Sequence, residues 1–223
     1  MLITEEVLLL LATRTGSASW GGTKQWAIIT AALADLEAAG RITHSMGAIR
    51  KHTLSVRVLD PSPTGNVALD KLLSSLPQDR DIRLSSTVGR RRYRVFDELI
   101  TDLERRRLIS TQSTRRMWVI PATTYVAEAG ASRSLHERLN PVAKRISGAP
   151  LHDALVVSIV AGAGHLPLAF PSISKSKKYS QRGKWQRSLA QATDFGAGLD
   201  QARREFATAI TASSASAGAV ASS

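Results

Sequence analysis

Apolar residues recur along this chain mostly at helical spacing, broken by two short stretches with the alternation of strands. Val7 to Leu11 form an apolar run behind Thr4-Glu5-Glu6, a hydroxyl and two carboxylates suited to the free amides and positive dipole end of a helix start. Residues 16–24 are rich in Gly and Ser and read as a loop, because small residues sustain neither periodicity. From Trp26 to Ala39, Ile29, Ala32, Leu33 and Leu36 share one face, and Gly40 stands where a helix ends. Residues 41–43 and 52–59 then alternate apolar with polar residues, which predicts a hairpin.

Pro61-Ser-Pro-Thr-Gly65 is a rigid turn, and Asn66 is placed to cap a short helix carrying Leu69, Leu72, Leu73 and Leu76. The pattern weakens over 79–89. Val95, Phe96, Leu99, Ile100 and Leu103 then form a stripe on a helix over 95–107, leading into a second hairpin over 108–120 with a polar tip at Ser110 to Arg116. Asp-Leu-Glu closes both this helix and the earlier one, at 35–37 and at 102–104, each time five residues before an isoleucine that opens a hairpin. The final third predicts helices at 132–139, 151–163, 184–193 and 199–211, with a basic loop after Pro167. Together these elements predict a mainly α fold: a single globular helical domain over 1–211 with two small β-hairpins, and a disordered Ala/Ser/Gly tail over 212–223.

Charge changes the picture more than composition does. With 30 Lys+Arg against 18 Asp+Glu, the formal net charge is +12, which asks for an anionic partner: nucleic acid or an anionic membrane face. The chain has no Cys, so it offers no disulfide framework, thiol nucleophile or Cys-ligated metal. The start lacks the basic region and cleavage site of a secretory signal, and the longest apolar stretch, 154–168, is too short and broken to span a bilayer. A cytoplasmic protein, peripheral at a membrane, is expected.

No catalytic constellation stands out. The five histidines, at 44, 52, 136, 152 and 165, form no i,i+4 pair, so no metal or other cofactor is expected. The Gly16-x-x-x-x-Gly21 segment lacks the Lys-Ser/Thr that a phosphate loop requires, and no Gly-x-Ser-x-Gly elbow exists. A binding protein, not an enzyme, is the expectation. Arg90, Arg91, Arg92 and Arg94 form a cluster read as the opening of a helix, where guanidinium forks and free amides suit a phosphate monoester. Trp20 and Lys24 join it as candidate head-group ligands. A second basic set comprises Arg115 and Arg116 with Lys175, Lys177, Lys178, Arg182 and Lys184, the last five inside residues 154–193, which contain no acid. Such a run suits an anionic leaflet, at roughly 1 kcal/mol per charge near the surface, or a phosphate backbone.

Thr4 to Leu10, Ala32-Leu33-x-x-Leu36-x-x-x-Gly40-Arg41-Ile42 and Asp60-Pro-Ser-Pro-Thr-Gly65-x-x-x-Leu69-Asp70 together resemble the Golgi phosphoprotein 3 family. Leu99-x-x-x-Leu103 before Leu108-Ile109, and Pro121 to Tyr125, follow in the same order. The resemblance implies a mostly helical domain that binds phosphatidylinositol 4-phosphate through a tryptophan and three arginines. Trp20 matches the tryptophan, while Ile29 falls where the first arginine belongs. The other two fall on Tyr93 and Phe96, or on Arg91 and Arg94 if the alignment slips by two. The Ala-rich, Arg-rich character looks like a bacterial member, to which a Golgi trafficking role does not transfer. The expected partners are thus an anionic membrane surface or phosphoinositide-like lipid, with a membrane-enzyme client and a homo-oligomer as further family-implied partners. A winged-helix-like nucleic-acid binder, using the helix and basic hairpin over 95–120, is the alternative.

Overall fold

The computed structural model describes residues 1–12, 22–47, 53–116, 120–176 and 179–220, the side chains of 113–116, 120–122, 179–180 and 209–220 excepted. The N-terminal half runs α1 (Ile3–Leu11), α2 (Thr23–Ala38), β1 (Ile42–Met46), β2 (Leu54–Val58), α3 (Val67–Ser75), β3 (Ile82–Arg83), α4 (Leu84–Val88), α5 (Phe96–Arg105), β4 (Ile109–Arg116) and β5 (Ile120–Ala127). The C-terminal half is helical: α6 (Ala129–Lys144), α7 (Leu151–Gly162), α8 (Leu166–Ala169), α9 (Pro171–Ser176), α10 (Tyr179–Ala190) and α11 (Asp194–Val220). The chain is therefore mainly α, with two small antiparallel sheets. Among the described residues, no helix is long and apolar enough to cross a membrane.

Every residue of α1 is buried, Thr4, Glu5 and Glu6 included. The N-terminal polar residues do not cap in the expected way. Asp35 of α2 accepts from the Ile3 and Thr4 amides at 2.9 and 2.8 Å and from the Thr4 hydroxyl. Glu5 accepts the Leu2 amide at 3.1 Å. Burial raises the Asp35 pKa, against the opposing pull of those Thr4 and Ile3 hydrogen bonds and of the His152 charge.

Helices α2, α7 and α11 pack on one another as the central layer, and α1 packs against α2 and α7. The N-terminal end of α2 meets the far end of α7 where Thr23 Oγ1 lies 3.1 Å from His165 Nε2, so the two helices run antiparallel. Helices α7 and α11 run parallel and touch through glycines. A Cβ on Gly162 would come 2.4 Å from the Gly196 carbonyl, and one on Gly196 would come 2.7 Å from Ser158 Cβ.

The first hairpin pairs Ile42 with Val58 and His44 with Val56, and β3 adds a short third strand to β2. That strand and α4 occupy 82–88, where the sequence pattern is weak. The second hairpin is longer than expected: Ser110 to Arg116 lie within β4 itself, so they form a strand rather than a tip. The expected basic loop after Pro167 is a correction too, since α8, α9 and α10 fill it. Its cations carry long unbranched stems that helices tolerate well, and no glycine interrupts it before Gly183. In α11, residues 212–220, read from the sequence as a patternless tail, carry helical backbone, which suits their alanines.

Candidate functional site

The N-terminal end of α2 anchors the candidate surface. Gly22 at its N-cap takes φ +59°, a conformation glycine adopts without strain, and no side chain caps the helix. Lys24 therefore sits in the first helical turn, not in a loop. Its pKa is lowered by burial. Beside it, His165 is pushed down to about 4 by burial and by the nearby Lys24 and Arg203 charges, so it is neutral at pH 7. Arg203 donates Nε to the Gly162 carbonyl at 3.2 Å and pairs with Asp200 at 2.8 Å. A side chain on Gly164 would meet both Arg203 and Gln186 of α10.

The arginine cluster does not open a helix, contrary to the sequence reading. Arg91–Tyr93 form a single 3-10 turn, Val95 is the N-cap, and α5 starts at Phe96 with Asp97 and Glu98 in its first turn. The carboxylates take the dipole end that arginines would oppose. Arg90, Arg91, Arg92 and Arg94 are all exposed around a fully buried Tyr93. Arg92 folds back on Tyr93, its guanidinium 4.6 Å from the ring centroid and hydrogen-bonded to the phenol oxygen. Arg94 borders a tight crease with Gln25, Ile28, Ile29, Val95 and Phe96. The structure thus brings Arg94 next to the α2 turn that carries Lys24. Ile29 is 1% exposed there, a core residue with no polar reach.

The remaining basic residues divide. Lys175 lies in the last turn of α9 and is exposed, while on α10 Lys184 is exposed and Arg182 half-buried. Arg115 and Arg116 pair with Pro121 and Ile120 at the end of the second hairpin away from Ile109. Trp20, Lys177 and Lys178 lie outside the described residues. Trp185, next to Lys184 in the same basic stretch, is buried and donates its indole N–H to the Ala143 carbonyl at 2.8 Å.

Sequence reasoning missed a buried charge cluster around α1. Glu5 pairs with Arg106 at 2.5 Å, and Glu6 pairs with Arg138 and lies 3.2 Å from His152. Glu6, His152 and Asp153 bring potential ligand atoms within 4.8 Å of one another. Arg138 already supplies the cation, since its guanidinium bonds Glu6 and lies 3.5 Å from Asp153. Nothing in the spacing of residues 6, 138 and 153 announces the cluster; the one available signal is acids inside an otherwise apolar first helix. A cavity of about 350 Å³ lies elsewhere, between the starts of α3 and α5, lined by Asn66, Asp97, Glu98, Asp102 and Arg105 among others. Its acids make it a poor seat for an anion.

Compared with known proteins, the chain matches the family described as Golgi phosphoprotein 3 (GPP34) over residues 3–211. None of the curated proteins matches it.

Proposed function

Because the chain belongs to the Golgi phosphoprotein 3 family, we propose that it is a peripheral binding protein, not a catalyst, that docks on anionic phospholipid. The observation that carries this reading is the joining of basic groups at one end of the helical layer. Arg94 borders the first turns of α2, Lys24 and Arg203 flank His165, and Gln186 ties that corner to α10 with Arg182 and Lys184. Each cation near a negatively charged leaflet adds roughly 1 kcal/mol, so several on one end suffice for reversible attachment.

In its finer form the ligand is a phosphoinositide-like head group, such as phosphatidylinositol 4-phosphate. Ile29 and the closed crease beside Arg94 favour recognition led by surface charge over a deep head-group pocket. The nucleic-acid alternative is disfavoured by α5, whose Asp97, Glu98, Asp102 and Glu104 would face phosphates.

Liposome flotation at physiological salt tests the proposal. We expect recovery with vesicles containing phosphatidylglycerol or phosphatidylinositol 4-phosphate and little with neutral phosphatidylcholine. Equal recovery with neutral and anionic vesicles overturns it. A preference for phosphatidylinositol 4-phosphate at matched surface charge would select the finer form.

A further inference from the structure

At the opposite end of the layer, we propose that His44 is a proton-dependent latch that holds the start of α11 against the corner between α2 and β1, and that deprotonation releases it. His44 Nδ1 lies 2.6 Å from Glu37 Oε1 and Nε2 lies 3.1 Å from Asp194 Oδ2. Glu37 is in the last turn of α2 and Asp194 is the first residue of α11, so one imidazole spans three elements. The His44 amide also donates to Glu37 at 3.1 Å, and the ring lies 5.0 Å from Phe195. Two carboxylates can both accept only if both ring nitrogens carry protons, which is the imidazolium form. A neutral ring donates from one nitrogen and turns a lone pair toward the other carboxylate.

Among the described residues around the crease at His44, about 330 Å³ in volume, Glu37 and Asp194 supply the only other charges. The rest of its lining is Leu151 and Leu155 of α7 with Ala192, Thr193 and Phe195. The residue opposite His44 on β2 is Val56. Burial lowers the His44 pKa, but the hydrogen bonds to Asp194 and Glu37, with their charges, outweigh it and leave the value above 6.5. The latch is therefore fully closed below the ordinary histidine value and is lost as pH rises through the higher folded value. The Asp194 link goes first, because its side chain is 56% exposed against 30% for Glu37 and its bond is the longer. The first turn of α11 then keeps its Thr193 anchor, whose hydroxyl accepts the Gly196 amide at 3.2 Å and bonds Ser158 at 2.6 Å, and it opens more often at the mouth of the crease.

The latch stands independently of the membrane reading, and NMR on the full chain between about pH 5 and about pH 8 tests it. The His44 ring proton should titrate with a midpoint above 6.5, and Asp194→Asn should bring that midpoint down. Amide exchange at Ala197 and Gly198, corrected for intrinsic rate, should rise about tenfold across the same midpoint, the loss expected for one charge-assisted hydrogen bond. In His44→Gln it should stay at the open level throughout. A wild-type midpoint at or below 6.5, or corrected exchange that is flat across the midpoint, overturns the proposal. Should His44→Gln fail to fold, Asp194→Asn carries the test, because that side chain is largely exposed and its removal leaves Glu37 in place; an unchanged His44 midpoint in that variant overturns the proposal.

Discussion

At the scale of single residues, environment decides what one substitution does, and two pairs show it. Gly183 lies in α10 with open space where a methyl would point, whereas a methyl on Gly196 would come 2.5 Å from the Ala190 carbonyl. Gly183→Ala should raise stability by about 0.5–1 kcal/mol by restricting the unfolded chain. Gly196→Ala should lower it by about 1–3 kcal/mol through overpacking between α7 and α11. Urea midpoints compare the two, and equal effects would refute the packing argument. The histidines oppose each other in the same way. His165, pushed down to about 4, favours the folded state while neutral, so its contribution is lost as pH falls from about 6.5 toward about 4. His44, raised, loses its contribution as pH rises. His165→Gln should flatten the acid limb of a stability–pH curve, and His44→Gln the alkaline limb. Residues of this kind are only half legible in a sequence. Ile29 reads as core from its helical face, and it is core; but the spacing of residues 44, 37 and 194 says nothing of a shared hydrogen-bonded cluster, because tertiary contacts bring them together.

At the scale of elements, the repeated Asp-Leu-Glu marks two helices that stop in the same way. After α2, the Ala39, Gly40 and Arg41 amides donate to the carbonyls of Asp35, Glu37 and Leu36. After α5, Arg106, Arg107 and Leu108 donate to Asp102, Glu104 and Leu103 in the same pattern. The reversal needs a left-handed residue, which is Gly40 at φ +69° in the first case and Arg107 at φ +57° in the second. An L side chain is strained there, so Arg107→Gly should stabilise the protein by about 0.5–1 kcal/mol, read as a rise in thermal midpoint; Gly40→Arg should do the opposite. The stops are visible in the sequence because glycine and the hairpin alternation mark them. The full length of the second hairpin is not, because Ser110 to Arg116 are all polar, and a strand without apolar residues shows no hydrophobic alternation. Continuity with the stripe at Val95 makes the arginine cluster look helical, whereas Asn66 reads correctly as a cap, accepting from Ala68 and Leu69 at 3.1 Å each. A capping side chain is a local signal, but the 3-10 turn depends on burying Tyr93.

At the scale of the whole molecule, the three central helices are polarised along their length. The antiparallel α2 begins with Lys24 and ends with Asp35 and Glu37. Parallel α7 and α11 begin with Asp153 and Asp194, and Arg203 comes further along beside His165. One end of the layer therefore collects carboxylates, whereas at the other Lys24 and the cations of α10 stand beside a stretch of α11 in which Asp200 and Glu205 balance Arg203 and Arg204, and an anionic surface would orient such a molecule as well as attract it. The absence of acids over 154–193 is the readable half of this polarity; the other half needs the directions in which the helices run. Those directions fix which end the proposed docking would turn toward a leaflet. The chain has no native Cys, so single labels report position cleanly. Gly183→Cys places a fluorophore on α10 beside the cationic corner, on an exposed residue with free space. Leu151→Cys places one at the carboxylate end, on a side chain already 72% exposed. On anionic vesicles doped with a quencher lipid, the label at 183 should be quenched strongly and the label at 151 hardly at all. Raising salt should release both forms together, because screening acts on the shared electrostatic attachment. Stronger quenching at 151, or equal quenching at both positions, would show that the cationic end does not lead the docking, even if the vesicles still bind.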